Sequence, residues 1–100
     1  MATVQKIMFR GAASTSDTAL YVVPSATEAV VTNIIVANDS VDAETFSLSL
    51  AGISMATTVD IEPNSVITFD VKQVLEAEDA INGSASSTSI KFHISGVEIA

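Results

Sequence analysis

The stretch SIKFHISGVEIA, residues 89–100, decides the fold class. Ile90, Phe92 and Ile94 alternate with Lys91, His93 and Ser95, and a period of two is that of a strand with one buried face. Gly96 interrupts the reading. If the alternation continues, Gly96 is next on the apolar face, and Val97 and Ile99 point outward. A bulge at Ser95–Gly96 would insert one residue and shift the phase, and glycine suits a bulge because it accepts φ > 0. With that shift Ile90, Phe92, Ile94, Val97 and Ile99 all share one face, which is the expectation. Val97 and Ile99 are then expected in the core or in an intersubunit contact, within an ordered terminus.

The same alternation recurs upstream. TFSLSL sets Phe46, Leu48 and Leu50 against Ser47 and Ser49, and VITFDV sets Ile67, Phe69 and Val71 against Thr68 and Asp70. AVVTNIIVA is apolar on both faces apart from Thr32 and Asn33, so that strand is central or has one face covered by another subunit. Strands are predicted over Val4–Phe9, Thr18–Val23, Ala29–Ala37, Thr45–Leu50, Thr57–Ile61, Val66–Val71, Ala80–Ala85 and Ser89–Ile99. The segments between them are mostly rich in Gly, Pro, Asn, Asp, Ser or Thr, as turns require. KQVLEAEDA has the only helical character, but at about two turns it falls short of the roughly 12–15 residues an isolated helix needs. It is predicted as a helical turn or loop. The expected fold is a single-domain, all-β antiparallel sandwich, jelly-roll-like, with about eight short strands. Residues 1–17 form an N-terminal arm or first strand, and residues 18–100 the sandwich.

Composition agrees. The chain has 100 residues, 48% of them apolar, with 5% aromatics, no Trp and no Cys. That is one domain with a modest core, weighted toward residues that fit pleated surfaces. The net charge of −8, with only Lys6, Arg10, Lys72 and Lys91 as cations, argues against nucleic acid and anionic membranes as partners. The absence of cysteine fits a reducing cytosol. MATVQKIMFRGA has no long apolar run of a signal peptide, and no stretch reaches the length of a membrane span, so synthesis and folding in a cytosol are expected.

No constellation for chemistry stands out. His93 is the single histidine and sits opposite the inward-facing Phe92 and Ile94, as an ordinary strand residue would. No GxSxG or Cys–His arrangement is present, and one histidine without cysteine does not match the usual zinc spacings. NDSVDAE offers Asp39, Asp42 and Glu44, but lacks the glycine and closing spacing of a calcium loop and is expected to be a solvated connection. Glu76, Glu78 and Asp79 in LEAEDA repel one another, so they splay into water or meet cations of a partner. No catalytic, cofactor or metal site is expected.

TALYVVPSATEAVVTNIIVANDS, ETFSLSLAG, IEPNSVITFDVKQVLEAEDAINGSAS and SIKFHISGVEIA together resemble a family of small tailed-phage virion proteins, over roughly residues 18–100. Tyr21, Pro24 and Thr27 match the family's opening, Pro63, Asn64 and Ser65 its turn, and Asp79, Ile81 and Gly83 the segment before the last strands. Glu78 stands where the family usually has a glycine. The resemblance implies a β-sandwich of the phage particle without catalytic residues. Its most direct expectation is a capsid decoration (cement) protein, binding the major capsid protein on the outer head as a homo-oligomer, with a trimer favoured. A tail, baseplate or head-fibre component is the alternative, and a host-glycan module a more distant one, disfavoured by the scarcity of aromatics. Lys6, Ile7, Phe9, Arg10, Val97 and Ile99 are the expected interface residues. The first four lie in Met1–Gly11, the only cation-rich part of the chain, which either reaches a neighbour or forms an ordinary first strand.

Overall fold

The computed structural model describes residues 3–100. Its strands are β1 (Thr3–Ala12), β2 (Thr18–Val22), β3 (Glu28–Asn38), β4 (Glu44–Leu50), β5 (Ile53–Ile61), β6 (Ser65–Phe69), β7 (Gln73–Leu75), β8 (Ala80–Ala85) and β9 (Ile90–Ile99). One sheet has the order β1-β9-β3-β6, with β7 continuing along β3 beyond β6, and the other has the order β2-β8-β4-β5. Every pairing is antiparallel. With β6 and β7 taken as one interrupted strand, this is the strand order of a jelly roll. The expected all-β sandwich is what the chain forms.

The core lies between the sheets. Phe46 of β4 meets Phe69 of β6 and Phe92 of β9 edge-on, at centroid distances of 6.1 and 6.4 Å. Edge-to-face contacts of this kind add to the area the rings bury. Phe46, Leu48, Ile90, Phe92 and Ile94 are buried, so the alternations read in TFSLSL and SIKFHIS place their apolar sets inward.

The last strand departs from expectation in an instructive way. Bulges do occur at this level, opposite Ile94–Ser95 on one side and Ser95–Gly96 on the other, but β9 carries neither. The extra residue is Met8 on β1 and Thr32 on β3, the two strands that flank β9. The phase of β9 therefore never changes: Gly96 is buried with Ile90, Phe92 and Ile94, while Val97 and Ile99 stay half-buried on the other face. The reason for Gly96 is close approach and not left-handed backbone. A Cβ there would overlap the Val30 carbonyl oxygen and lie 2.6 Å from Met8 Cε. The bulge at Thr32 also explains the two-sided apolarity of β3. Its inward set is Ala29 and Val31 before the bulge, then Ile34 and Val36 after it.

KQVLEAEDA is likewise not helical. Gln73–Leu75 pairs with Val31–Ala29 as a ninth strand, with Leu75 buried and Val74 exposed. Two or three residues of strand against the long β3 satisfy backbone groups that one isolated helical turn would leave unpaired. The turn after it is pinned by Asp79, whose Oδ2 accepts the Glu76 N–H at 2.9 Å. Glu78 sits there at φ 71°, a left-handed conformation that a glycine would adopt without steric cost. β5 also starts four residues earlier than predicted, at Ile53, because Ala51 and Gly52 close a two-residue hairpin with φ of 52° and 78°.

Candidate interaction surface

The two sheets present different faces to solvent. On the four-stranded sheet the register aligns Ser49 with Asn82 and Ser47 with Ser84, and Asn82 donates to Asp17 Oδ2 at 3.3 Å. That face is hydroxyl and amide. On the five-stranded sheet, directly paired residues share a face. One row runs Gln5, Val97, Val30, Val74 across four strands, and another runs Arg10, His93, Ile35, Thr68. This face mixes aliphatic side chains with polar ones and carries Arg10 on its β1 edge. His93 sits between Arg10 and Ile35, an ordinary position on an exposed strand face.

The six residues expected at an interface divide between the sides of this sheet. Ile7, Arg10, Val97 and Ile99 lie on its outer side, paired with Ser95, His93, Gln5 and Thr3. Lys6 and Phe9 take the opposite side, across from Gly96 and Ile94. Phe9 packs partly against the core, whereas Lys6 is exposed because β1 is the sheet's edge. The double bulge leaves a shallow depression of about 470 Å³ lined by Lys6, Ile7, Thr32 and Val97, with Thr32 Oγ1 donating to the Ser95 carbonyl at 3.2 Å. At the same end of the sheet, a second depression of about 610 Å³ is lined by Glu28, Glu76, Asp79 and Ile99.

Two features were not anticipated from the sequence. Val66 and Val74, 61% and 65% exposed, put apolar side chains on the edge opposite β1. Val74 was visible only as an apolar residue within a segment predicted as a turn. Tyr21, itself largely buried, reaches across the sandwich, and its hydroxyl donates to Glu98 Oε2 at a partly buried site. Burial, then the hydrogen bond to Glu98 and its charge, pushes the phenol's ionisation well above its ordinary value. Glu98 thus occupies the inward phase of β9 that the expected bulge would have given to Val97.

Asn38, the buried polar residue of the core, organises the acidic loop. Its Nδ2 donates to the carbonyls of Asp42, Ile61 and Glu62 at 2.9, 3.3 and 3.2 Å, and its Oδ1 accepts from Ser40 N and Oγ. The carboxylates of the loop go separate ways: Asp39 pairs with Lys91 at 3.3 Å, and Glu44 accepts from Ser86 Oγ at 2.7 Å. Among the described residues no three His, Cys, Asp or Glu side chains gather as metal ligands would, and no helix is long and apolar enough to cross a membrane.

No family profile matches this chain, and no characterised protein matches it by sequence. Among solved structures, it is similar to a pentameric capsid protein isolated from metagenomic phage sequences, with a TM-score of 0.43, 17% identity, and coverage of 90% of this chain and 58% of that one. It is also similar to a sugar-binding protein, the EclA C-terminal domain, with a TM-score of 0.45, 14% identity, and coverage of 96% and 75%. A third is an exo-β-1,3-galactanase from Phanerochaete chrysosporium, with a TM-score of 0.41, 16% identity, and coverage of 97% and 29%. The chain spans under two thirds of the capsid protein's length. None of these likenesses reaches a TM-score of 0.5.

Proposed function

We propose that this chain is a non-enzymatic structural protein of a tailed-phage virion. In this reading it is made in the bacterial host cytoplasm and decorates the outer capsid surface as a homo-oligomer, with the major capsid protein as its partner and a trimer favoured. One observation carries the reading: the five-stranded sheet keeps Val4, Ile7, Val66 and Val74 more than half exposed along its two edges, with Lys6 and Arg10 on the β1 edge. Apolar side chains held out on a rigid strand edge are suited to burial against another protein. The resemblance of residues 18–100 to phage virion sandwiches supports the same reading. Binding that favours the assembled lattice over its dissociated parts would stabilise the shell by mass action, without any reactive group.

The test is stoichiometry. Quantitative mass spectrometry of purified particles should find this chain at a copy number approaching that of the major capsid protein. A copy number of a few per particle would move it to the tail, baseplate or head fibre. A competable hit on a glycan array together with absence from particles would replace the structural reading with host recognition.

A further inference from the structure

Resting on the oligomeric reading above, we propose that copies of this chain join through unlike surfaces: the loop at residues 39–43 of one copy, tipped by Val41, seats in the depression beside β1 of the next. The chain's charge is segregated in a way that suits this contact. β1 and β9 carry Lys6, Arg10 and Lys91 against a single carboxylate, Glu98. Elsewhere Lys72 is the one cation set against every other carboxylate of a chain whose net charge is −8. Lys6 and Arg10 are exposed and have no ion-pair partner among the described residues. They flank the depression lined by Lys6, Ile7, Thr32 and Val97. Ile7 and Arg10 are successive outward residues of β1, because the bulged Met8 and then Phe9 both turn inward.

The loop has the opposite character. Val41 is the most exposed large apolar side chain among the described residues, at 81%. Its loop is tied down on both sides. Asn38 Nδ2 and Ser40 Oγ both donate to the Asp42 carbonyl at 2.9 Å, and the Asn64 N–H donates to the Ser40 carbonyl at 3.2 Å. A loop already ordered loses little conformational freedom on docking. Its rim is acidic. Asp42 and Glu62 are exposed, and their carboxylates make no hydrogen bond or ion pair among the described residues. The Asn38 amide donates to the backbone carbonyls of both, so the two residues flank the same tip. An apolar anchor within a ring of charge, facing an apolar seat with unpaired charges of the other sign, combines burial with electrostatic selection of the partner surface. Like-with-like contacts are disfavoured, because they set Lys6 and Arg10 against their own copies, or one acidic tip against another. The contact joins two different patches, and a rotation that closes gives a ring of two or more copies.

The experiment is the solution mass of the full chain by light scattering and sedimentation equilibrium at physiological salt. The wild type should have a mass that is a multiple of the 10.4 kDa chain. Lys6→Glu with Arg10→Glu should fall to the single-chain mass, as should Asp42→Lys with Glu62→Lys, both with an unchanged circular dichroism spectrum. All four substitutions on one chain should restore association, because each surface again meets its opposite charge; misfolding would not be rescued this way. The chain has no cysteine, so disulfide trapping reports the contact directly. A Val41→Cys chain mixed with an Ile7→Cys chain under mild oxidation should give mostly the unlike pair. A monomeric wild type, an oligomer indifferent to the charge reversals, a folded quadruple variant that stays monomeric, or trapping no better between unlike chains than like ones would overturn the contact. The copy number in particles decides the virion reading separately, so either can fail alone.

Discussion

Replacing Gly96 by alanine tests the account of the last strand. In a strand interior, glycine is less favourable than alanine by about 0.5–1 kcal/mol, so a site with room should be stabilised by the change. Gly96 has no room. The new Cβ would overlap the Val30 carbonyl oxygen, and Met8 Cε and Sδ would lie 2.6 and 3.1 Å away. A methionine end can turn aside, but a ladder carbonyl cannot without disturbing the pairing of β3 with β9. Overpacking of this kind costs about 1–3 kcal/mol, and the backbone component places Gly96→Ala at the upper end, about 3 kcal/mol. For a domain of this size that lowers Tm by on the order of 10–20 °C. Gly11→Ala is the internal control: on the same sheet its Cβ would meet only the Phe9 ring at 3.6 Å, so it should be neutral or stabilising by a few tenths of a kcal/mol. Urea unfolding followed by circular dichroism measures both. A Gly96→Ala variant as stable as the wild type would refute the crossing of the two bulges over this residue.

Three other substitutions probe separate parts of the structure. The folded state keeps the Tyr21 proton above the pH near 10 at which the unfolded chain loses it, so this stabilisation is full below pH 10 and declines as pH rises past it, by at most about 1.4 kcal/mol per pH unit. Tyr21→Phe should abolish that component of the alkaline decline and cost about 1–2 kcal/mol at neutral pH, both read from denaturant titrations across pH. Glu78→Gly should raise stability by about 0.5–1 kcal/mol in the same assay, because it relieves a φ of 71° at some cost in unfolded-chain entropy. Asn38→Ala leaves the carbonyls of Asp42, Ile61 and Glu62 without their shared donor, and should cost about 2–3 kcal/mol and speed hydrogen exchange in the loop at residues 39–43.

The architecture was legible wherever one face is buried and the other is not, as in TFSLSL and KFHIS, because period two follows directly from the pleat. Bulges were harder. Glycine at 96 marked the level of the irregularity but not the strand that carries it, since the extra residues, Met8 and Thr32, are of types that bulges do not require. The short β7 was invisible because three residues carry no period, and its pairing depends on β3, distant in sequence. Of the candidate surface, the β1 half could be found from its lone cluster of cations. The opposite edge could not, because Val66 and Val74 become neighbours of one exposed edge only through the sheet order. Tyr21 and Glu98, 77 positions apart, show the same limit in the core.

The most direct test of the virion reading is an electron-microscopy map of the intact particle at a resolution that separates strands. The account predicts near-stoichiometric density for this nine-stranded sandwich on the outer face of the capsid. A head surface bare of this fold, with matching density confined to the tail or missing altogether, would contradict it.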